Sequence, residues 1–556
     1  MDQQLNGSAH TSGPRSRNVL LIYPRFSNES FWNYRKSCEV VGARYPTIPL
    51  GLITVAAMVP NHWNVRLVNC NTEELTDEDL RWADLAMTGG MLFQQASTLD
   101  LIDLCREHNV PVAVGGPDVS SSPHIYERAN YRVVGEAEGI IDKFIEAVET
   151  GGTSNGLFEA PKFQIDVTKT PKPRFDLLKF DHYMHVGVQY SRGCPFTCEF
   201  CDIIELYGRV PRTKTTEQML AELETLYQLG YRGHVDFVDD NLIGNKKAVK
   251  AFLPHLIKWL EERDYPFEFS TEASLNLSDD KELLGLLKKA NFFLIFIGIE
   301  SPDTETLIAM KKKQNTRRSI PESVHRIYEH GIFVTAGFIV GFDSERGSVA
   351  EPMLELIEDA AIPMAVIGLL FALANTQLTR RLAREGRLFA NSEFLPKGSG
   401  DQMAGGMNFQ TKRPRLDVLR DFRRVLHDAY TPEAYCRRID RMVSMLDCTG
   451  RRRELPKGDR RAEIGTFNVV QEILRRMPEH KELFWRTFTK ALNSNPGALR
   501  AVVTLMGFYL HVGPYTRYAV SEIDKQIALL ESDEFVMPAL APPVTAEAAS
   551  AAASAA

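Results

Sequence analysis

The stretch "SRGCPFTCEFCD", residues 191–202, constrains this chain more than any other. It gathers three of the eight cysteines, Cys194, Cys198 and Cys201, at a C-x3-C-x2-C spacing. On a helix the three thiols would share one face and read as a buried stripe. Gly193 ahead of them and Pro195 among them predict instead a loop leaving the strand "VGVQYSR". Three free thiols in one loop are open to oxidation, which favours a ligand set over plain packing. Structural zinc takes four ligands. No fourth Cys or His lies nearby at finger-like spacing, so a distant residue would have to complete such a site. Three thiolates match a [4Fe–4S] cluster with one iron left open to a substrate.

Around that loop, strand and helix patterns alternate over residues 181–412. The strands are "HVGVQYSRG", "HVDFVDD", "FEFSTEAS", "FFLIFIGIES", "VTAGFIVGF" and "MAVIGLLFALA", with helices such as "TTEQMLAELETLYQLG" between them. Strand–helix repeats of this number predict a partial (β/α)6 barrel, whose chemistry sits at the strand C-terminal ends. Residues 17–150 read as a separate doubly wound α/β unit, with strands "NVLLIYP", "VRLVNC", "ADLAMTGG", "PVAVGG" and "YRVVGE". Several of these end in glycine, where open parallel sheets take their ligands. Residues 151–180, with "GGTSNG" and "TKTPKPRF", predict a linker. Residues 413–535 are mainly helical in pattern, and the ends, 1–16 and 536–556, read as disordered tails. The expected fold class is therefore α/β, with a doubly wound N-terminal domain, a partial barrel and a mainly helical C-terminal domain.

A chain of 556 residues exceeds one ordinary core, in line with several domains. Its formal net charge of −7 argues against a general nucleic-acid binder. No apolar run reaches the roughly 18 residues of a membrane span, and the polar start lacks the apolar core of a secretory signal. Sparse, irregular cysteines point to the reducing cytoplasm.

The cysteine spacing, with Phe200 just before the last ligand and the loop at the end of a first barrel strand, resembles the signature of the radical S-adenosylmethionine (SAM) enzymes. The resemblance implies that Cys194, Cys198 and Cys201 hold three irons while the fourth chelates SAM. One electron then splits the sulfonium and gives a 5′-deoxyadenosyl radical. Asp239, Asp240 and Asn241, ending "VDFVDDN", would hold the SAM amino group; capping the next helix is their alternative use. Thr271 and Glu272 in "STEAS" would meet its ribose or carboxylate. Phe200, Glu300 in "FIGIESP" and Gly341 in "FIVGFDSE" complete the SAM-binding candidates.

The N-terminal unit, with its "PLGL" element, is similar to that of the cobalamin-binding radical SAM methylases with a helical C-terminal extension, and the similarity runs over nearly the whole chain. It implies cobalamin contacts at Thr88, Gly89, Gly90 and Met91, at Gly115, Gly116 and Pro117, and at Gly135 and Glu136. Strand termination alone would also account for such glycines. The D-x-H-x-x-G element that supplies a histidine to cobalt is absent; "YPRFSNESFW" follows the first strand instead. "MTGGM" followed by "QQ", and "FWNYRKSCEVVGARYPTIPLG", resemble the branch that methylates C-2 of hopanoids. The resemblance implies a C-methyltransferase using methylcobalamin on a lipid-like substrate, with a reductase, flavodoxin or ferredoxin as electron donor and no nucleic acid. It also implies a cytoplasmic protein with peripheral contact at the inner membrane.

Three rivals remain at this level. One is another substrate or a ring closure on the same machinery. Another is a methylthiotransferase, with a second cluster on Cys38, Cys70 and Cys105, although Cys105 in "LDLIDLCREHN" reads as core. The last is a non-enzymatic iron–sulfur and cobalamin sensor. "PGALRAVVTLMGFYLHVGPYTRYAV" is either a buried helix or a lipid-facing lid. "TRRLAREGR" and "TGRRRELPKGDRR" would meet anionic headgroups or stand as solvated surface.

Overall fold

A computed structural model describes residues 16–151, 156–390, 406–450, 477–532 and 536–543, with single positions between 465 and 475. The N-terminal strands are β1 (Asn18–Tyr23), β2 (Asn64–Asn69), β3 (Leu85–Gly89), β4 (Val112–Gly115), β5 (Tyr131–Val134) and β6 (Gly156–Glu159). They form one parallel sheet in the order β2-β1-β3-β4-β5-β6. The order reverses between β1 and β3, the switch point at which doubly wound sheets hold ligands. β1 shows why the sheet is sandwiched. Its side chains alternate, so Leu20 and Ile22 enter one helix-covered core while Val19 and Leu21 enter the other.

Strand β6 lies within the stretch expected to be a linker. It has only four residues, at the sheet edge and half exposed, so no apolar run announces it. A second departure concerns residues 536–543, expected within a disordered tail. There Leu540 bridges to Phe389, and the backbone of Ala541 donates to Leu388. Residues 1–15 and 544–556, and most of "TGRRRELPKGDRR", lie outside the described residues.

The next strands are β7 (Val186–Val188), the short pair β8 (Ser191–Arg192) and β9 (Arg212–Thr213), then β10 (Gly233–Phe237), β11 (Phe267–Glu272), β12 (Phe292–Glu300), β13 (Phe333–Val340) and β14 (Ala365–Leu369). The second parallel sheet runs β14-β13-β12-β11-β10-β7, while β8 and β9 pair antiparallel around the cysteine loop. The sheet curls into a partial barrel whose outer face is dry. Val235, Phe237, Phe267, Phe269, Ile295 and Ile297 are fully buried beneath the surrounding helices. Successive residues point to opposite faces of a strand, so His234 and Asp236 of β10, and Val366 and Gly368 of β14, turn inward. All four are only half buried, because the barrel encloses a lumen.

Helices Arg415–Ala429, Pro432–Met445, Lys481–Ser494 and Leu499–Glu531 make the C-terminal part. The segment weighed as a lipid-facing lid lies in the last of these, with Val502, Leu505, Met506 and Leu510 buried. The buried-helix alternative therefore holds. One end of this helix reaches the barrel, where Arg500 pairs with Glu268. Among the described residues no helix is long and apolar enough to cross a membrane.

Candidate active site

The cysteine loop is held by side chains from the end of β10. The Asp239 carboxylate accepts from Tyr190 N at 3.0 Å, from Ser191 Oγ at 2.5 Å and from Ser191 N. Asp240 accepts from Gly193 N at 2.9 Å. Asn241 Nδ2 donates to Ser274 Oγ at 3.2 Å and faces Cys194 Sγ at 3.9 Å. Gly193 has φ +95°, and a Cβ there would lie 2.9 Å from Gly208 O, so the loop turns on glycine. Further along, Glu199 N donates to Met310 O, and Leu378 N donates to Glu199 O. Phe200 packs edge-on against Phe342, ring centres 5.8 Å apart.

The donor set fits a cluster. Burial pushes the Cys194 and Cys201 thiols up, and nearby thiols and acids add to the effect, so ionisation calls for a bound cation. Thiolates of a four-iron cube bind at separate corners. Among the described residues no group of three His, Cys, Asp or Glu side chains is gathered about a single point. Of the N-terminal cysteines, Cys70 and Cys105 pack into one core, and Cys38 does not join them. Cys105 is buried in the helical layer over the first sheet, whereas Cys38 sits on a helix tied to the C-terminal one through Ser37 Oγ and Gly507 O.

The SAM candidates separate by position. Asp239 is buried and turned to the chain itself, and burial pushes its carboxyl up to about 7; Asp240 rises to about 6 for the same first reason. Thr271 donates to Phe237 O at 3.0 Å. Glu272 projects into the lumen, open to solvent yet walled by protein, and desolvation followed by the charges of Asp236, Asp240 and Asp239 pushes it up to about 8. Glu300 forms a buried pair with Lys312 at 2.6 Å. Gly341 does stand at a close approach, with φ +110°, but a Cβ there would meet Met407 Sδ at 3.0 Å, so the neighbour is the chain's own methionine. Sequence reasoning missed Lys312 and Gln314. Gln314 Nε2 lies 3.7 Å from Cys198 Sγ, and its Oε1 is buried without a partner.

All nine cobalamin candidates line one cavity of about 480 Å3 at the switch point of the first sheet. The glycines have backbone reasons as well as spatial ones: a Cβ on Gly89 would lie 2.3 Å from Gly115 O. Thr88 Oγ1 is buried without a partner on this wall. Such a hydroxyl, beside glycine-lined backbone, fits a polar cofactor. Glu136 does different work. It bridges Arg192 at 2.9 Å and Arg212 at 2.8 Å, joining the first sheet to the hairpin that brackets the cysteine loop. Leu50, Gly51, Gln189 and Tyr207 also line the cavity, and none of the residues lining it is a histidine. Leu50 and Gly51 belong to the "PLGL" element, Gln189 follows β7, and Tyr207 lies beyond the cysteine loop, where no strand end marks it.

A second cavity, about 370 Å3, fills the barrel lumen from Glu272 down to His234 and Glu268, and is closed by Trp32, Tyr34 and Phe508. β10 and the residue after it contribute to the walls of both cavities, which share no lining residue. Asp236 lines the lumen, and Val238 lines the N-terminal cavity.

Comparison with known proteins bears on this arrangement. Residues 188–357 match the model of the radical SAM superfamily. An uncharacterized methyltransferase of Synechocystis sp. is 39% identical over 92% of this chain and 94% of its own length. The hopanoid C-2 methylase of Rhodopseudomonas palustris is 35% identical over 91% of this chain and 95% of its own. The chain belongs to the radical SAM methylase family. Like other members it is an enzyme, and its C-terminal residues 376–525 match a domain model of unknown function. The solved cobalamin-dependent radical SAM enzyme OxsB, with aqua-cobalamin and SAM bound, superposes with a TM-score of 0.57 at 15% identity, covering 92% of this chain and 81% of that one. This radical SAM methylase thus shares its fold from the first sheet to the helical end.

Proposed function

We propose that this enzyme is a cobalamin-dependent radical SAM methyltransferase that methylates an unactivated carbon, C-2 of a hopanoid lipid. The observation that carries the reading is that one chain segment walls both cavities, Asp236 of β10 on the lumen and Val238 just past it on the N-terminal cavity. The same strand end holds the cysteine loop through Asp239, Asp240 and Asn241. Radical formation and methyl donation must reach one carbon, and an enzyme achieves this by positioning. When bound, the cluster with SAM supplies hydrogen abstraction and cobalamin supplies the methyl group.

The chain's own contribution is placement and shielding. Cys194, Cys198 and Cys201 would hold the cluster, with Gln314 Nε2 3.7 Å from Cys198 Sγ and Lys312 close to the Cys198 and Cys201 thiols. Gly89, Gly90, Gly115 and Gly116 let the first sheet's backbone approach cobalamin closely. Glu136 keeps the two sheets in register across the gap. Phe293, Phe296 and Phe508 line the lumen and exclude water from a substrate there. The R. palustris relative, named a hopanoid C-2 methylase, supports the choice of lipid. The electron donor is a reductase, flavodoxin or ferredoxin, and the enzyme works from the cytoplasm in peripheral contact with the membrane that holds its substrate.

The test is anaerobic. The protein loaded with cluster and cobalamin is incubated with reductant, SAM and desmethyl hopanoid, and products are read by mass spectrometry. The expected products are a lipid heavier by one methyl group, 5′-deoxyadenosine and S-adenosylhomocysteine. Deoxyadenosine without methylated lipid would refute the substrate. Neither deoxyadenosine nor methylated lipid, from protein with an intact cluster, would refute the reaction.

A further inference from the structure

The lumen walls are not uniform. Toward β12 they are apolar, with Phe293, Leu294 and Phe296, and Trp32 and Phe508 close over them. Toward β7, β10 and β11 they are polar: His185, His234, Asp236, Glu268 and Ser270. His234 and Glu268 are the second residues of β10 and β11, and His185 immediately precedes β7. These groups therefore sit at the lumen floor, away from the strand ends that carry the cysteine loop. From Glu268 up to Glu272 the strand climbs about 13 Å.

The polar side is a connected set. Ser270 Oγ donates to Asp236 Oδ1. That hydroxyl then accepts from His234 Nε2, 2.6 Å away, which leaves His234 Nδ1 as an acceptor. The His185 ring lies 5.0 Å from that of His234, and its Nδ1 is buried without a partner. Desolvation pushes both histidines down, which favours the neutral rings; His234 then offers a guest its Nδ1 acceptor, and His185 offers its unpartnered Nδ1. Arg500 reaches the same floor and pairs with Glu268. A guest made only of hydrocarbon would strip water from this face and return no hydrogen bonds, which disfavours its binding. A guest bearing hydroxyls would replace that water.

We propose that the lumen floor is a hydroxyl-binding subsite, and that the substrate is a hopanoid carrying a polyhydroxylated side chain rather than the bare hydrocarbon. The inference rests on the hopanoid reading above. C-2 lies in the terminal ring of the fused system, and the side chain leaves from the ring at the opposite end. With C-2 held at the strand ends, the side chain points to His185, His234 and Arg500. The five rings lie along Phe293 and Phe296.

The test separates binding from turnover. Protein loaded with cluster and cobalamin, without reductant, is mixed with micelle-dispersed hydrocarbon hopanoid or polyol hopanoid over a concentration series. Lipid retained through gel filtration is measured by mass spectrometry. The polyol form is expected to bind at least about tenfold more tightly. His234→Phe, and separately His185→Phe, should narrow that gap by a similar factor while thermal melting stays close to that of the parent protein. Equal binding of the two lipids, or tighter binding of the hydrocarbon, overturns the subsite and leaves the hopanoid reading standing. If neither lipid binds while the reduced enzyme still cleaves SAM, the hopanoid reading falls and this inference falls with it.

Discussion

Glu136 offers the sharpest test of how the first sheet is tied to the cysteine loop. Its carboxylate is buried between Arg192 and Arg212, which face each other across the β8–β9 pair. Glu136→Ala leaves the two guanidiniums unequally placed. Arg192 keeps Glu138 at 2.8 Å, whereas Arg212 retains the carbonyls of Ile165 and Tyr207. Removing one partner of a buried pair costs about 3–5 kcal/mol. The remaining contacts put this case at the lower end, about 3 kcal/mol, or roughly 150-fold in the equilibrium for opening the hairpin. Amide exchange reads that equilibrium locally. The reporters are Cys194 N, bonded to Gly208 O, and Lys214 N, bonded to Tyr190 O. Glu136→Gln, which keeps an acceptor and loses the charge, should fall between the two. Exchange of both amides within about threefold of the parent protein in Glu136→Ala would refute the tie.

Other expectations follow from the same geometry. Cys198→Ala should purify without the cluster's visible absorbance and without SAM cleavage; a protein that kept both would show that this thiol is no ligand. Gly89→Ala forces a Cβ against Gly115 O and should part β3 from β4 at the cavity rim. Cobalamin retained after desalting should then correspond to affinity weaker by about tenfold, and parent-like retention would contradict the placement. His511 is buried, donates to Phe31 O at 3.1 Å, and is pushed down from 6.5 to about 4, chiefly by desolvation. The unfolded chain takes up this proton first, so stability is lost as pH falls from about 6.5 through 4, on the order of 3 kcal/mol when complete. Urea midpoints for the parent protein and His511→Gln should diverge across that window, and parallel curves would refute it.

The parts of the fold that announce themselves in sequence are those with local causes. Buried parallel strands read as apolar runs, and Gly193 with Pro195 marks a loop whatever surrounds it. Strand β6 escapes because an edge strand of four half-exposed residues has no such run. The site divides the same way. The cysteines and the strand-end glycines are visible as spacing. What Asp239 does is not, because its partners at Tyr190 and Ser191 lie 49 and 48 residues away and only the sheet brings them together. Lys312 and Gln314 belong to a turn with no motif of its own. The polar lumen is also hidden: which of two alternating residues faces inward depends on the packing of helices against the other face.

The helix Leu499–Glu531 sets an order of events during synthesis. It floors the lumen through Arg500, yet it leaves the ribosome about 300 residues after the cysteine loop. At about 5–20 residues per second, the interval is roughly 15–60 s. The barrel strands emerge within that interval, and the last of them, ending at Leu369, precedes Arg500 by about 130 residues, which leaves the lower end open for roughly 7–26 s. Cluster assembly thus has a window before the chamber is sealed, and a chain truncated before Arg500 would keep every cysteine ligand while lacking the floor of its substrate chamber.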